Sequence, residues 1–90
     1  MTGQPYRVQI LPMAQRQFRA LPPSAGARIR FRILALESMP RPPDARKVVG
    51  HDLWRIRVGD LRVIFAIDDA AGTVSITKVA RRSESTYRRI

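Results

Sequence analysis

Residues 53–65, LWRIRVGDLRVIF, constrain the fold more than any other stretch of the chain. Trp54, Ile56 and Val58 alternate with Arg55 and Arg57, the period of a strand with one buried face. Gly59-Asp60 then supplies a two-residue reversal, because glycine accepts a positive φ without steric cost. The return strand is expected over residues 61–67. A two-residue loop pairs Val58 with Leu61, Arg57 with Arg62, Ile56 with Val63 and Arg55 with Ile64. Directly opposed residues share a face of an antiparallel pair. Trp54, Ile56, Val58, Leu61, Val63, Phe65 and Ile67 therefore point one way, and Arg55, Arg57 and Arg62 the other. Like charges opposed across strands destabilise the pair by on the order of a few tenths of a kcal/mol. Arg57 facing Arg62 thus calls for a compensating anion or for a reason to stand without one, surface arginines on an antiparallel sheet being common.

The charge balance points the same way. Seventeen Lys and Arg against seven Asp and Glu give a net +10, and nearly all the cations are arginine. A planar guanidinium donates two parallel hydrogen bonds to a phosphate, so a polyanion is the expected partner: RNA, DNA or an acidic protein. Composition alone would also fit a solvated basic surface, and position has to decide. Ninety residues make one domain, 1–90, and a chain this short buries only about 60–65% of its unfolded surface. It has no cysteine, which rules out disulfides and thiolate metal sites, and nothing calls for a metal or cofactor. The N-terminal residues lack the apolar core of a signal peptide and no run reaches a membrane span, so a cytoplasmic protein is expected.

Elsewhere, Tyr6, Val8 and Ile10 alternate with polar residues as a half-buried strand. Pro12 suits the first position of a helix. Ala14, Phe18 and Leu21 follow at i, i+4 and i+7. Pro22-Pro23 ends this short helix, and Ser24 is placed to cap a second over residues 25–38. The second helix carries two apolar stripes: Ala25, Ile29, Ile33 and Leu36, and Ala27, Phe31 and Leu34. Two stripes imply two neighbours, the first helix and a sheet. Arg28, Arg30 and Arg32 are expected in solvent. Residues 39–44, MPRPPD, form a proline-rich loop. After residues 68–72 a further strand is expected, with Val74, Ile76 and Ala80 in the core. Thr73, Ser75, Thr77, Val79 and Arg81 then face the arginine side. Lys78 breaks this alternation; a bulge would restore it, but the pattern does not locate one. His51, a single histidine in a polar turn, could be a ligand or a base, although a residue so placed is more often neither.

These features together resemble the RelE/ParE toxin superfamily. The resemblance spans residues 6–89, and its specific part is RIRVGDLRVIF at its distance from ARRSESTYR. It implies an α+β fold, a small antiparallel β-sheet with an N-terminal helix hairpin packed on one face. It also implies a toxin of a type II toxin–antitoxin system, encoded with an acidic RelB-like antitoxin that wraps the basic surface and binds less tightly in salt. RelE-type members are endoribonucleases (mRNA interferases) that enter the ribosomal A site and cut mRNA. ParE-type members share the fold, lack the basic site and poison DNA gyrase. A non-catalytic RNA-binding or degenerate toxin is the third possibility. Carried over residue by residue, the catalytic set is Arg55, Arg57, Arg62, Arg81 and Tyr87, with Arg82 an alternative to Arg81. The pattern departs in type at Arg55 and Arg57, where the leading RelE nuclease has lysines.

Such cleavage uses the 2′-OH to attack the adjacent phosphate, leaving a 2′,3′-cyclic phosphate and a 5′-OH. On this reading Arg57 and Arg62 hold the scissile phosphate and Arg55 a neighbouring one. Arg81 sits at the leaving 5′-oxygen, and Tyr87 stacks on a base or orients the 2′-OH. Arginine stabilises the charge well but is a poor base, its pKa lying above about 12. Tyr87, Glu84, Lys47 and His51 remain candidates for the base.

Overall fold

The structure, a computed structural model, describes residues 5–81. The strands are β1 (Arg7–Ile10), β2 (Arg46–Lys47), β3 (Trp54–Val58), β4 (Leu61–Asp68) and β5 (Thr73–Arg81), and the helices are α1 (Pro12–Arg19) and α2 (Pro23–Ala35). They form one five-stranded sheet in the order β1-β5-β4-β3-β2. Every pairing is antiparallel except β1 with β5, which run parallel with Val8 opposite Val74. Both helices lie on one side, α1 over β5 and α2 over β3. The core between the layers centres on Phe65, Ile29, Leu36, Ile56, Ile76, Val63 and Val74.

The hairpin has the expected register, Val58 opposite Leu61 and Arg57 opposite Arg62. Gly59 has φ +63° and, among the described residues, no non-glycine residue has a positive φ, the pattern of a type II′ turn with Gly in its first central position. A Cβ there would also come within 3.2 Å of the Arg28 guanidinium, so the turn packs under that side chain.

Pro12 opens α1 as expected. The Leu11 N–H donates to the Ile76 carbonyl, which carries the β1 ladder up to the start of the helix. Beyond Ile76, β5 has no strand beside it on that edge, and α1 takes over. The Gln17 side-chain oxygen accepts from the Val79 N–H at 2.7 Å, satisfying a backbone donor that the strand order leaves open.

The second helix differs from expectation in two ways. It runs over Pro23–Ala35 with Pro22 as its N-cap and no side-chain cap bond, so Ser24 lies inside the first turn. Pro23 explains this: its fixed φ suits the first helical position, and the Gly26 N–H already reaches the Pro22 carbonyl. The stripe of Ile29, Ile33 and Leu36 is buried, but Phe31 and Leu34 of the other stripe are 73% and 52% exposed. The eight-residue α1 spends its apolar face on β5 and leaves this side of α2 uncovered. Phe31 stands between two open grooves of about 590 and 490 Å³.

Arginine ties the loops down. Arg32 is not simply solvated: it donates two 2.8 Å bonds to Asp44. Arg41 forms a bidentate pair with Asp69, which also accepts from the Tyr6 hydroxyl. This joins the proline-rich loop, the N-terminal strand and the β4–β5 loop. Hydrogen bonds from Arg41 and then Tyr6 hold the Asp69 carboxyl down to about 2, and the Asp69 bond raises Tyr6 above the usual phenol value. A carboxylate with a depressed folded pKa stabilises above its unfolded value and loses that contribution as pH falls through the folded one. Thermal melts should therefore show a loss of stability between about pH 4 and 2 that is smaller in Asp69→Asn. Tyr6 has the opposite sign, contributing below about pH 10 and less above it.

Candidate functional site: a basic sheet face

The face of the sheet away from the helices is built by register. Arg55 and Arg57 of β3 and Arg62 of β4 share it, because the hairpin pairs Arg57 with Arg62 and Arg55 with Ile64. Ile64 is fully buried yet stands apart from the helix-side core, as this parity requires. Arg57 is exposed, Arg55 is half-buried and Arg62 is only 6% exposed. The central arginine is thus a fixed part of the floor. Burial, then the Arg57 charge and then that of Arg46, depress the pKa of Arg55 below the usual arginine value. Burial is the larger cause, and the neighbouring like charges add to it, since both penalise the charged form.

Two members of this face were not expected. Arg46 is opposite Arg55 on the short edge strand β2. Lys78 is opposite Ile64 on β5. A row Arg46–Arg55–Ile64–Lys78 therefore crosses four strands, with Arg57–Arg62–Ala80 beside it. Lys78 arrives through a β-bulge. Ile64 is paired with Lys78 but Phe65 with Ile76, so Thr77 is the extra residue. The Thr77 hydroxyl donates to the Ile64 carbonyl at 3.2 Å.

The bulge reverses every expectation for the end of β5. Val79 is 3% exposed in the helix-side core rather than on the arginine face, and Ala80 lies opposite Arg62 rather than in the core. Arg81 lies opposite Leu61, on the helix side, and its guanidinium donates to Asp60 in the hairpin turn at 2.9 Å. The structure thus brings Arg55, Arg57 and Arg62 together but does not bring Arg81 to them. Lys78 itself was the signal in the sequence, a charge where unbroken alternation assigns the core; it called for a bulge, and the structure supplies the position the pattern could not, at Thr77.

The candidate bases are placed away from this face or outside the described residues. Lys47 is opposite Trp54 on the helix side, with its ammonium 5.6 Å from the indole centroid and 3.3 Å from Asp52. His51 is exposed in the turn before β3. Arg82, Glu84 and Tyr87 lie outside the described residues.

A sequence model described as the ParE toxin of the type II toxin–antitoxin system parDE matches residues 8–86. The chain belongs to this family of toxins. No curated protein sequence matches it. The toxin is similar to solved structures over most of its length. In the RelBE2 toxin–antitoxin complex of Mycobacterium tuberculosis the match is 27% identical with a TM-score of 0.77, covering 87% of this chain and 99% of that one. In the archaeal RelE–RelB complex of Pyrococcus horikoshii it is 28% identical with a TM-score of 0.75, covering 88% and 97%. The free-state Escherichia coli RelE, an arginine-to-alanine mutant, shares the fold at 15% identity with a TM-score of 0.80, covering 94% and 92%. The toxin is therefore a type II toxin of the RelE/ParE superfamily with the RelE architecture. Among its described residues no helix is long and apolar enough to cross a membrane.

Proposed function

We propose that this toxin is an endoribonuclease that cuts mRNA in the ribosomal A site, by attack of a 2′-OH on the adjacent phosphate. The observation that carries the reading is the shared face of Arg55, Arg57 and Arg62, which the hairpin register holds on a rigid floor. Arg57 and Arg62 are opposed residues, so a phosphate between them can take hydrogen bonds from both guanidinium groups as its charge grows toward the phosphorane. Arg55, with Arg46 beside it, suits a neighbouring phosphate of the strand. The reaction is a transesterification, so positioning and charge stabilisation supply most of what it needs.

The partner that restrains such a toxin is an acidic, RelB-like antitoxin. Of the two related structures described above, one is a RelBE2 toxin–antitoxin complex and the other a RelE–RelB complex. The uncovered strip of Ala27, Phe31 and Leu34, with Arg28 and Arg30 beside it, suits an amphipathic segment carrying carboxylates. The site of action is the cytoplasm, where messages are translated.

The second reading, a toxin that binds gyrase, is favoured by the ParE description of the matching family. One experiment separates the two. Purified toxin is added to translating ribosomes, and mRNA ends are mapped by primer extension. Cuts within A-site codons support the nuclease. Intact message together with inhibited gyrase supercoiling supports the other reading and overturns this one.

A further inference from the structure

Resting on the nuclease reading, we propose that Lys78 is the proton donor to the departing 5′-oxygen. That position was expected of Arg81, which lies on the opposite side of the sheet beside Asp60. Lys78 occupies the arginine face one row from the phosphate clamp. It is the diagonal neighbour of Arg62, at about 7–8 Å between backbones, within reach of a four-carbon side chain.

Its chemistry differs from that of every other cation in these two rows. The others, Arg46, Arg55, Arg57 and Arg62, are guanidinium groups, whose delocalised charge makes them poor proton donors and good clamps. A lysine ammonium is charged at neutral pH and still acidic enough to protonate an alkoxide as it forms. The chain has only two lysines, and the other, Lys47, is engaged with Trp54 and Asp52. Lys78 takes part in none of the ion pairs among the described residues. The bulge that presents it is held on both flanks, by the Thr77 hydroxyl on the Ile64 carbonyl and by Gln17 on the Val79 N–H. Without the extra residue Lys78 would lie against the helices.

In the proposed step the 2′-oxygen forms the new P–O bond as its proton passes to solvent. The bond from phosphorus to the 5′-oxygen breaks, and that oxygen takes a proton from the Lys78 ammonium. The neutral amine regains a proton from water. The strand is thereby converted to a 2′,3′-cyclic phosphate and a 5′-OH with no co-reactant.

The test uses two messages on the ribosome, one with the natural 5′-oxygen at the scissile bond and one with a bridging sulfur. A thiolate leaves without being protonated, so the sulfur substrate dispenses with the donor. Lys78→Arg and Lys78→Met should cut the natural message about 10²-fold or more slowly than the unsubstituted toxin, yet cut the sulfur message within a few-fold of it. Arg57→Ala should be slow on both. Circular dichroism melts check that each variant is folded. Equal slowing of the Lys78 variants on both messages, or no slowing, overturns the proposal and leaves the nuclease reading in place. Rescue of Arg82→Ala rather than the Lys78 variants also overturns it. If the unsubstituted toxin cuts neither message, the nuclease reading falls and Lys78 falls with it.

Discussion

Replacing Arg57 by alanine is expected to slow cleavage of ribosome-bound message by about 10²–10³-fold, the usual effect of removing one fixed donor from a developing oxyanion. The fold should survive, because the Arg57 side chain is exposed and its backbone stays in the β3–β4 ladder. Arg62→Ala should lose at least as much. Its side chain is 6% exposed, so water cannot take its place and the charge acts at lower effective dielectric. Removing a buried stem also costs packing, so Arg62→Lys is the cleaner partner variant: it keeps a positive charge and loses the planar fork. If both arginines grip one phosphate, the Arg57→Ala/Arg62→Lys double variant should lose less than the product of the single losses, as residues sharing a ligand do. Single-turnover cleavage rates read by primer extension give all three values. A near-normal rate for Arg57→Ala would remove the phosphate from this face.

The legible part of the site is the part that is local in sequence. Gly59-Asp60 is a two-residue turn with a known parity, and it alone puts Arg55, Arg57 and Arg62 on one face. Arg46 was hidden because β2 is two residues long, too short to show alternation. The exchange of Arg81 for Lys78 was hidden for a different reason. One extra residue inverts everything after it, and the apolar pattern of β5 reveals that an inversion occurs without fixing where. The parallel pairing of β1 with β5 joins segments more than sixty residues apart, a distance over which side-chain periodicity carries no information. The outer stripe of α2 shows the same limit. Periodicity marked Phe31 and Leu34 as an apolar face but could not say that α1 would be too short to cover it. The terminal stretch that holds Arg82, Glu84 and Tyr87 lies outside the described residues.

Phe65→Ala should be the most damaging single change to the fold. The side chain is fully buried and is the largest in the core. It also sits where the sheet changes register, opposite Trp54 on one side and Ile76 on the other, beside the unpaired Thr77. Truncating a buried phenylalanine costs about 3–5 kcal/mol. A domain of this length has roughly 5–13 kcal/mol of stability in total, so a large share would be lost. At roughly 4–8 °C per kcal/mol, the melting temperature should fall by about 12–40 °C. Loss of the ring removes the apolar anchor that makes the Phe65–Ile76 pairing better than a slipped one, so the variant should also lose the fixed placement of Lys78. Residual folded protein would then cut the natural message poorly even well below its melting temperature, whereas Phe65→Leu, which refills most of the volume, should restore both stability and rate. Equal melting temperatures for Phe65→Ala and the unsubstituted toxin would mean that the core is not organised around this residue.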